Sequence, residues 1–395
     1  MKIAYVTSPF LSDSDLPLLH ELQQLADVTY IIQIGEKTKS RMFIDVKKLK
    51  SRGGVYPATS YPELQNLSRY VDLGKTYVVN MPGRHDWSPQ NLWAALCLVA
   101  FIVRHRFNIV HLLWPPRYGT FPLYLLRRRL ILTLHDPLPH SSEDTRLNRF
   151  HRRVAMRLVP RFILLNRSQQ QQFIDFYGID PSRIETACLG IYTHLAEVSD
   201  PLAQGIEDLG NQNPRWAETG YILFVGTINT HKGVDYLCEA MRQVHKAYPD
   251  VKLVVAGSGK LYFDTQPYVD EGLLQVHNRY LSNAELVSFI TNARCVVCPY
   301  IDATQSGVIM SAFAFGKPVI ATSVGALPEM VEDGRHGLIV PPKDSDALAM
   351  AICCLCDSPA MLKQMHDNIL ADYQSGERSW NSIAKKYVDI YTRAQ

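Results

Sequence analysis

The stretch DATQSGVIMSAFAFGKPVIAT, Asp302 to Thr322, reads as a polar loop, a helix and then an apolar strand. The middle of the loop holds Thr304, Gln305, Ser306 and Gly307, with no carboxylate and no base among them. Ser306 and Gly307 fall at the helix start, where backbone N–H groups have no partner inside the helix. An oxyanion of a diphosphate suits that place: Gly307 admits close approach, and Thr304 and Ser306 bring hydroxyl donors. The plain alternative is an N-cap supplied by Thr304 or Ser306. A second candidate lies upstream. FVGTINTHKGVDYL, from Phe224, gives a strand, Gly226, a polar loop, Lys232, Gly233 and a helix. A glycine directly after a strand lets the backbone turn close to a ligand. Lys232 adds a cation to a helix start that already favours anions. VVAGSGK repeats the strand–glycine order at Gly257. Taken singly, each is also an ordinary strand–helix loop with a solvated lysine.

Such loops need strands and helices to hold them, and the chain alternates between the two from end to end. KIAYVTS, VTYIIQI, TYVVNM, NIVHLLW, LILTLHD, RFILLN and a weaker RIETACLG read as strands, with helices such as PQNLWAALCLVAFIVRHRF and RSQQQQFIDFYG between them. Runs without strict alternation are typical of strands buried on both faces, and strand–helix order gives a parallel sheet wrapped by helices. The pattern breaks at the polar residues 196–219, read as a linker, and restarts at YILFVGT. The expectation is two doubly wound α/β domains, 1–195 and 220–375, and a final amphipathic helix in 376–395 that packs back toward the first. Ligands of such sheets bind outside the carboxyl ends of the strands, so two facing sheets give a cleft with two sites.

At 395 residues two domains are the default, and a net charge of +3 is too small to argue for nucleic acid. The charge is uneven. RLNRFHRRVAMRLVPR, Arg146 to Arg161, holds six arginines with Leu147, Phe150, Val154, Met156 and Leu158 between them, and LLRRRL adds three more. A basic amphipathic helix of this kind suits an anionic membrane surface, with a solvated helix face as the plain reading. LWAALCLVAFIV, Leu92 to Val103, is too short to span a bilayer and reads as a core helix. The eight cysteines show no disulfide rhythm; Cys295 and Cys298 share a buried strand and point to opposite faces, so they read as reduced core fillers in a cytoplasmic protein. No clustered carboxylates or histidines stand at metal spacing, and SDSDL near Ser12 reads as a loop.

FVGTINTHKGVDYL, VVAGSGK, NRYLSNAELVSFITNARCVVCPY, the stretch from Asp302 to Asp344 and the tail SWNSIAKKYVDIY together resemble the retaining GT-B glycosyltransferases of family 4. The likeness is dense from about 220 to 395 and thinner before that, chiefly TLHDPLPH. It implies a nucleotide-sugar donor on the second domain and an acceptor on the first. It implies donor contacts at Gly226, Thr227, Lys232, Gly257, Arg279, Asp302, Thr304, Gln305, Ser306, Gly307, Val308 and Ser311. It implies catalytic roles for Lys232 and for His135 at a strand end facing the cleft, and acceptor contacts at Asp136 and His140. The chain departs from the family at several points. Thr227 stands where an arginine is expected, which removes a bidentate phosphate clamp. Ala303 and Ser311 stand where the family has two glutamates, a pattern resembling a bacterial subgroup with a TQSGV loop; Asp302, Gln305 and Ser311 are the residues left to contact sugar and ribose. The N-terminal glycine-rich loop is replaced by Ser8, Pro9 and Phe10.

The function expected is transfer of a sugar from a nucleotide diphosphate sugar to a hydroxyl acceptor with retention, in bacterial surface glycan or glycolipid synthesis. No cofactor or metal is expected, catalysis being electrostatic. The partners expected are the donor, a glycan or lipid-linked acceptor and an anionic membrane surface at Arg146–Arg161. The rivals are a GT-B relic that binds nucleotide or glycan without turnover, and a nucleotide-sugar epimerase on the same fold.

Overall fold

The computed structural model describes residues 1–41, 43–138, 145–197 and 220–394. It divides into two compact units, Met1–Leu189 with Trp380–Gln395, and Gly190–Ser379. The expected linker lies outside the described residues except for Ala196 and Glu197, which end a short 3-10 turn. The border falls at Leu189, not 195, because Tyr192 is tied into the second unit: its N–H donates to the Met310 carbonyl. The final helix is Trp380–Arg393, and residues 376–379 stay with the second unit.

The main sheet of the first unit has eight strands: β1 Lys2–Thr7, β2 Asp27–Gly35, β3 Gly54–Pro57, β4 Thr76–Met81, β5 Ile109–Leu112, β6 Leu130–Leu134, β7 Arg161–Leu164 and β8 Ile184–Thr186. Their order across the sheet is β8-β7-β6-β5-β1-β2-β4-β3, parallel except for the edge strand β3, which runs against β4. β3 escaped the sequence reading because GVYP is short and ends in proline. Alternate residues of β1 feed two cores, as strand geometry requires. Ile3 and Tyr5 join helix α1, Ser12–Leu25, and the C-terminal helix; Ala4 and Val6 join α2, Pro89–Arg104, with α3, Arg146–Leu158, and α4, Gln170–Tyr177. SDSDL is therefore the first turn of α1 and not a loop. Helix α2 is also not simply a core helix. It buries Ala94, Ala95, Leu98 and Ile102 but exposes Leu92, Trp93, Leu96 and Val103.

The second unit has six parallel strands: β9 Tyr221–Val225, β10 Leu253–Gly257, β11 Leu274–Asn278, β12 Ala293–Cys298, β13 Val319–Thr322 and β14 Gly337–Val340, in the order β11-β10-β9-β12-β13-β14. Every residue of β10, β12 and β13 is buried, Arg294 and Thr322 included, around the apolar runs LVVA, CVVC and VIA. Helices α5 Val234–Ala247, α6 Asn283–Asn292, α7 Gly307–Ala314, α8 Ser345–Asp357 and α9 Pro359–Leu370 wrap it; α6 opens on a Ser282/Glu285 capping box and α8 on an Asp344 cap. The C-terminal helix, α10, carries Trp380, Ile383, Ala384, Tyr387, Ile390 and Tyr391 on one buried stripe, which packs beside α1 in the first unit. No single helix among the described residues is long and apolar enough to cross a membrane.

Candidate functional site

In the second unit the strand order reverses between β9 and β12, and the residues singled out around that point converge there. Gly226 follows β9 at φ +126°, and Gly257 closes β10 at φ +143°. A Cβ on Gly257 would lie 1.9 Å from the Gly226 carbonyl, so the two loops touch backbone to backbone. A Cβ on Gly226 would meet the Val308 methyl at 3.3 Å, which brings the start of α7 to the same place. Thr227 is exposed beside Gly226. Lys232 ends a single 3-10 turn before Gly233, and the Ile301 N–H donates to the His231 carbonyl at 2.8 Å. The Lys232 ammonium sits 3.5 Å from the centre of the Tyr300 ring, and burial lowers its pKa. Face contact with an aromatic ring suits a cation with little water around it.

The loop after β12 is buried more deeply than the sequence suggests. Ser306 is 4% exposed, and its hydroxyl lies 3.2 Å from the Tyr300 hydroxyl. It occupies the N-cap position of α7 but makes no capping bond. The expected outward hydroxyl donor is therefore corrected: Ser306 points inward, and what α7 offers a ligand is uncapped backbone N–H. Gly307 is also not open on every side. A Cβ there would come within 2.9 Å of the Tyr192 hydroxyl, so glycine is needed to seat that ring. Thr304 is buried, and its carbonyl accepts from the Ala326 N–H at 3.2 Å. Gln305 keeps a buried side-chain amide nitrogen without a partner among the described residues, and Asp302 is exposed. Ser311 is buried and donates to the Gly307 carbonyl at 3.0 Å, so its proton is already used. Arg279, after edge strand β11, is ion-paired with Glu285 and stands two strands away from Gly226.

Sequence reasoning missed Tyr300, Cys298 and Tyr192. Cys298 ends β12 and Tyr300 follows two residues on, four and two residues before Asp302, so both stood beside the loop that drew attention. Burial pushes the Cys298 thiol up to about 11, so it is a packed neighbour of Lys232 and Tyr300 and not a thiolate. Tyr192 gives no local signal; its partner lies more than a hundred positions on.

In the first unit the order reverses between β5 and β1. A pocket of about 520 Å³ opens at the carboxyl ends of the strands there, lined by Thr7 and Ser8, Arg84, Asn91, Trp114 and Arg117 among others. The missing glycine-rich loop thus does not close this end of the sheet. His135 follows β6 directly and is half-buried, lining a cavity of about 20 Å³ with Asp15, Thr133 and Tyr387. Its Nε2 has no partner among the described residues, and burial lowers its pKa to about 4, against the pull of Asp136. The ring is therefore neutral at pH 7. Asp136 lies beside it, its carbonyl bonded by Arg152, and His140 lies outside the described residues. Beneath, His111 joins the Tyr391 hydroxyl and Thr133, both at 2.7 Å.

Among the described residues Glu332, His336 and Asp372 stand close enough to share a cation. Asp372 already takes two bonds from Arg335, at 2.9 and 2.7 Å, and one from His336 at 2.8 Å. The arginine holds its carboxyl near 2.

Two α/β units, each built on a largely parallel sheet, are the architecture of the GT-B class. Residues 55–195 match the family described as Glycosyltransferase Family 4, and residues 219–358 match Glycosyl transferases group 1. The chain belongs to the GT-B glycosyltransferases of this family 4 and group 1 type. A Methanocaldococcus jannaschii protein called an uncharacterized glycosyltransferase is 30% identical over 43% of this chain and 44% of its own length. A D-inositol 3-phosphate glycosyltransferase of Paenarthrobacter aurescens is 30% identical over 58% of this chain and 56% of its own. These alignments span about half the length of the relatives. The Anabaena protein HepE, solved in complex with UDP, shares the fold at a TM-score of 0.66 and 17% identity, covering 100% of both chains.

Proposed function

We propose that this chain moves a sugar from a nucleotide diphosphate sugar to a hydroxyl acceptor, with retention, in bacterial surface glycan or glycolipid synthesis. The observation that carries this reading is the convergence of Lys232, Gly226, Gly257 and the uncapped start of α7 at one switch point. A diphosphate seated there meets backbone N–H groups and a partly desolvated ammonium. As the bond to the sugar breaks, charge grows on the leaving diphosphate, and these fixed donors stabilise it more than they stabilise the intact donor. Thr227 contributes no guanidinium, so the backbone and Lys232 carry this work. The acceptor hydroxyl attacks on the face the diphosphate leaves, and a phosphate oxygen takes its proton. No protein nucleophile or acid/base carboxylate pair is assigned.

His135 is neutral, and its unpaired Nε2 is buried beside a cavity of about 20 Å³, room for a single water and not for a sugar, so no donor contact is assigned to it. The pocket of the first unit takes the acceptor, with Arg84 and Arg117 at its edge. Asp302 and the free amide of Gln305 are the polar groups left for the sugar, and Arg279 is excluded from that role while it pairs with Glu285. The reaction is assigned without metal, in the cytoplasm, with Arg146–Arg161 against the membrane. The test is a screen of UDP-, GDP- and ADP-sugars by thermal shift, followed by donor hydrolysis without acceptor in EDTA. Slow hydrolysis is expected. Binding without hydrolysis under any condition identifies the non-catalytic relic, and recovery only with added magnesium or manganese overturns the metal-free assignment.

A further inference from the structure

The pocket of the first unit has a charge and a rigidity that transfer to an unspecified hydroxyl does not use. Four neighbouring strands, in the order β5-β1-β2-β4, send their carboxyl-end loops to it. Lys37 follows β2, Arg84 follows β4 and Arg117 lies in the loop after β5, so its cations come from three separate strand ends. Two carboxylates, Glu36 and Asp86, line it with them. Glu36 is already paired with Lys39 at 2.8 Å, whereas Lys37 and Arg84 are exposed and make no ion pair among the described residues. Trp114 and Phe10 supply exposed aromatic faces, at 41% and 47% exposure. The loops that carry the two arginines are fixed in place. Buried Asn91 accepts from the Gly83 N–H at 2.9 Å and donates to the Gly83 and His85 carbonyls at 3.2 and 3.1 Å, on either side of Arg84. The Thr120 hydroxyl accepts from the Arg117 N–H at 2.9 Å and donates to the Arg117 carbonyl at 2.7 Å. The Gly119 N–H donates to the Asp86 carbonyl at 3.0 Å, so the two loops are joined to each other where they line the pocket.

We propose that this pocket takes a sugar that carries an oxyanion, a phosphate or a carboxylate, with the anion held by Arg84 and Arg117 and the sugar ring laid on Trp114. A guanidinium presents a planar fork of donors that matches either group, and it stays charged at any working pH. A neutral sugar would leave Lys37, Arg84 and Arg117 around one cavity with only Asp86 to balance them, and like charges set side by side are unfavourable. The C–H face of a pyranose is apolar and slightly positive and the face of an indole is negative, so an exposed tryptophan is a platform for it. The Asp86 carboxylate is then an acceptor for ring hydroxyls. A volume of about 520 Å³ suits a small saccharide. Because the arginine-bearing loops are bonded to each other before anything binds, little backbone ordering is left to oppose association. That this sugar is the acceptor rests on the proposed transfer reaction; that the pocket binds it does not.

The test is ligand-observed NMR with calorimetry on the full chain, with and without UDP. The probes are glucose, galactose and mannose, their 6-phosphates, the corresponding uronates, and inorganic phosphate alone. The phosphates or the uronates of at least one sugar are expected to bind about 10 times more tightly than the neutral parent, less so at high salt, and the tighter class names the anion. Arg84→Gln with Arg117→Gln, both exposed, should weaken the anionic sugars by a factor on the order of 10 to 10² and leave the neutral ones as they were. Trp114→Ala should weaken both kinds alike. Equal affinity for neutral and anionic sugars, or no binding of any anionic sugar, overturns the proposal. So does inorganic phosphate that binds as tightly as the sugar phosphates, which marks an anion site only. A loss seen in Lys232→Ala and not in the arginine variant places the ligand in the second unit and also overturns it. Donor hydrolysis by the parent is read separately. Hydrolysis without anionic-sugar binding fails this proposal and leaves the transfer reading standing, and binding without hydrolysis or transfer does the reverse.

Discussion

Asp15 shows how far a residue's chemistry depends on packing. It lies in the first turn of α1, accepts from Thr7 at 2.6 Å and from Tyr5 at 2.9 Å, and burial pushes its carboxyl from 3.8 up to about 8. The folded state thus keeps a proton that the unfolded chain releases above pH 4. Its stabilising contribution is complete below that pH and is lost as pH rises to about 8. Asp15→Asn keeps one oxygen to accept from one of the two hydroxyls, offers an amide N–H to the other and cannot titrate, so urea unfolding should show a shallower loss of stability between pH 4 and 8 than in the parent. An unchanged slope removes the assignment. Nothing in SDSDL announces this, because the partners come from β1. Lys232, Gly226 and Gly257 were legible for the opposite reason: a glycine directly after an apolar run marks a strand end by itself. Ser306 was read at the right place with the wrong direction, since sequence spacing does not say which side of a loop meets Tyr300.

Among the elements, the loop from Ile301 to Ser306 does the most to set the site, and β13 and the turn after it pin it. Thr322 donates to the Tyr300 carbonyl at 2.6 Å, and Ala326 donates to the Thr304 carbonyl. Gly325 makes that turn possible at φ +52°, and a Cβ there would lie 1.7 Å from the Ala303 carbonyl. Gly325→Ala should therefore cost more than about 1 kcal/mol in denaturant unfolding, the positive φ alone being unfavourable for alanine. It should also weaken UDP or GDP binding by calorimetry through the displaced loop. Full stability with parental affinity would show the loop to be held elsewhere. The strands themselves were plain in the sequence because runs such as LVVAG and CVVC have one reading at their length. Helix α2 was not: nearly every residue in LWAALCLVAFIV is apolar, so composition cannot tell the covered side from the exposed one.

For the whole molecule, the chain's last helix belongs to its first unit. The Tyr391 hydroxyl on α10 is hydrogen-bonded to His111 on β5, and burial lowers His111 to about 3, so this pair is a neutral hydrogen bond in the core. Tyr391→Phe leaves a buried ring nitrogen without that partner and should cost about 1–3 kcal/mol in the unfolding of the first unit. The transition of the second unit should stay in place. A shift of the second alone would contradict the assignment of α10. The amphipathic period of SWNSIAKKYVDIY predicted the helix, but only the three-dimensional packing shows which residues its tyrosines serve. The central claim is that the second unit holds the leaving diphosphate by Lys232 and the start of α7 while a sugar is transferred. Proton NMR of the first-formed product, from the donor that the thermal-shift screen selects, tests this most directly. The account predicts the same anomer as in the donor, formed on the order of 10² to 10³ times more slowly by Lys232→Ala. An inverted anomer, or a parental rate in that variant, would contradict it.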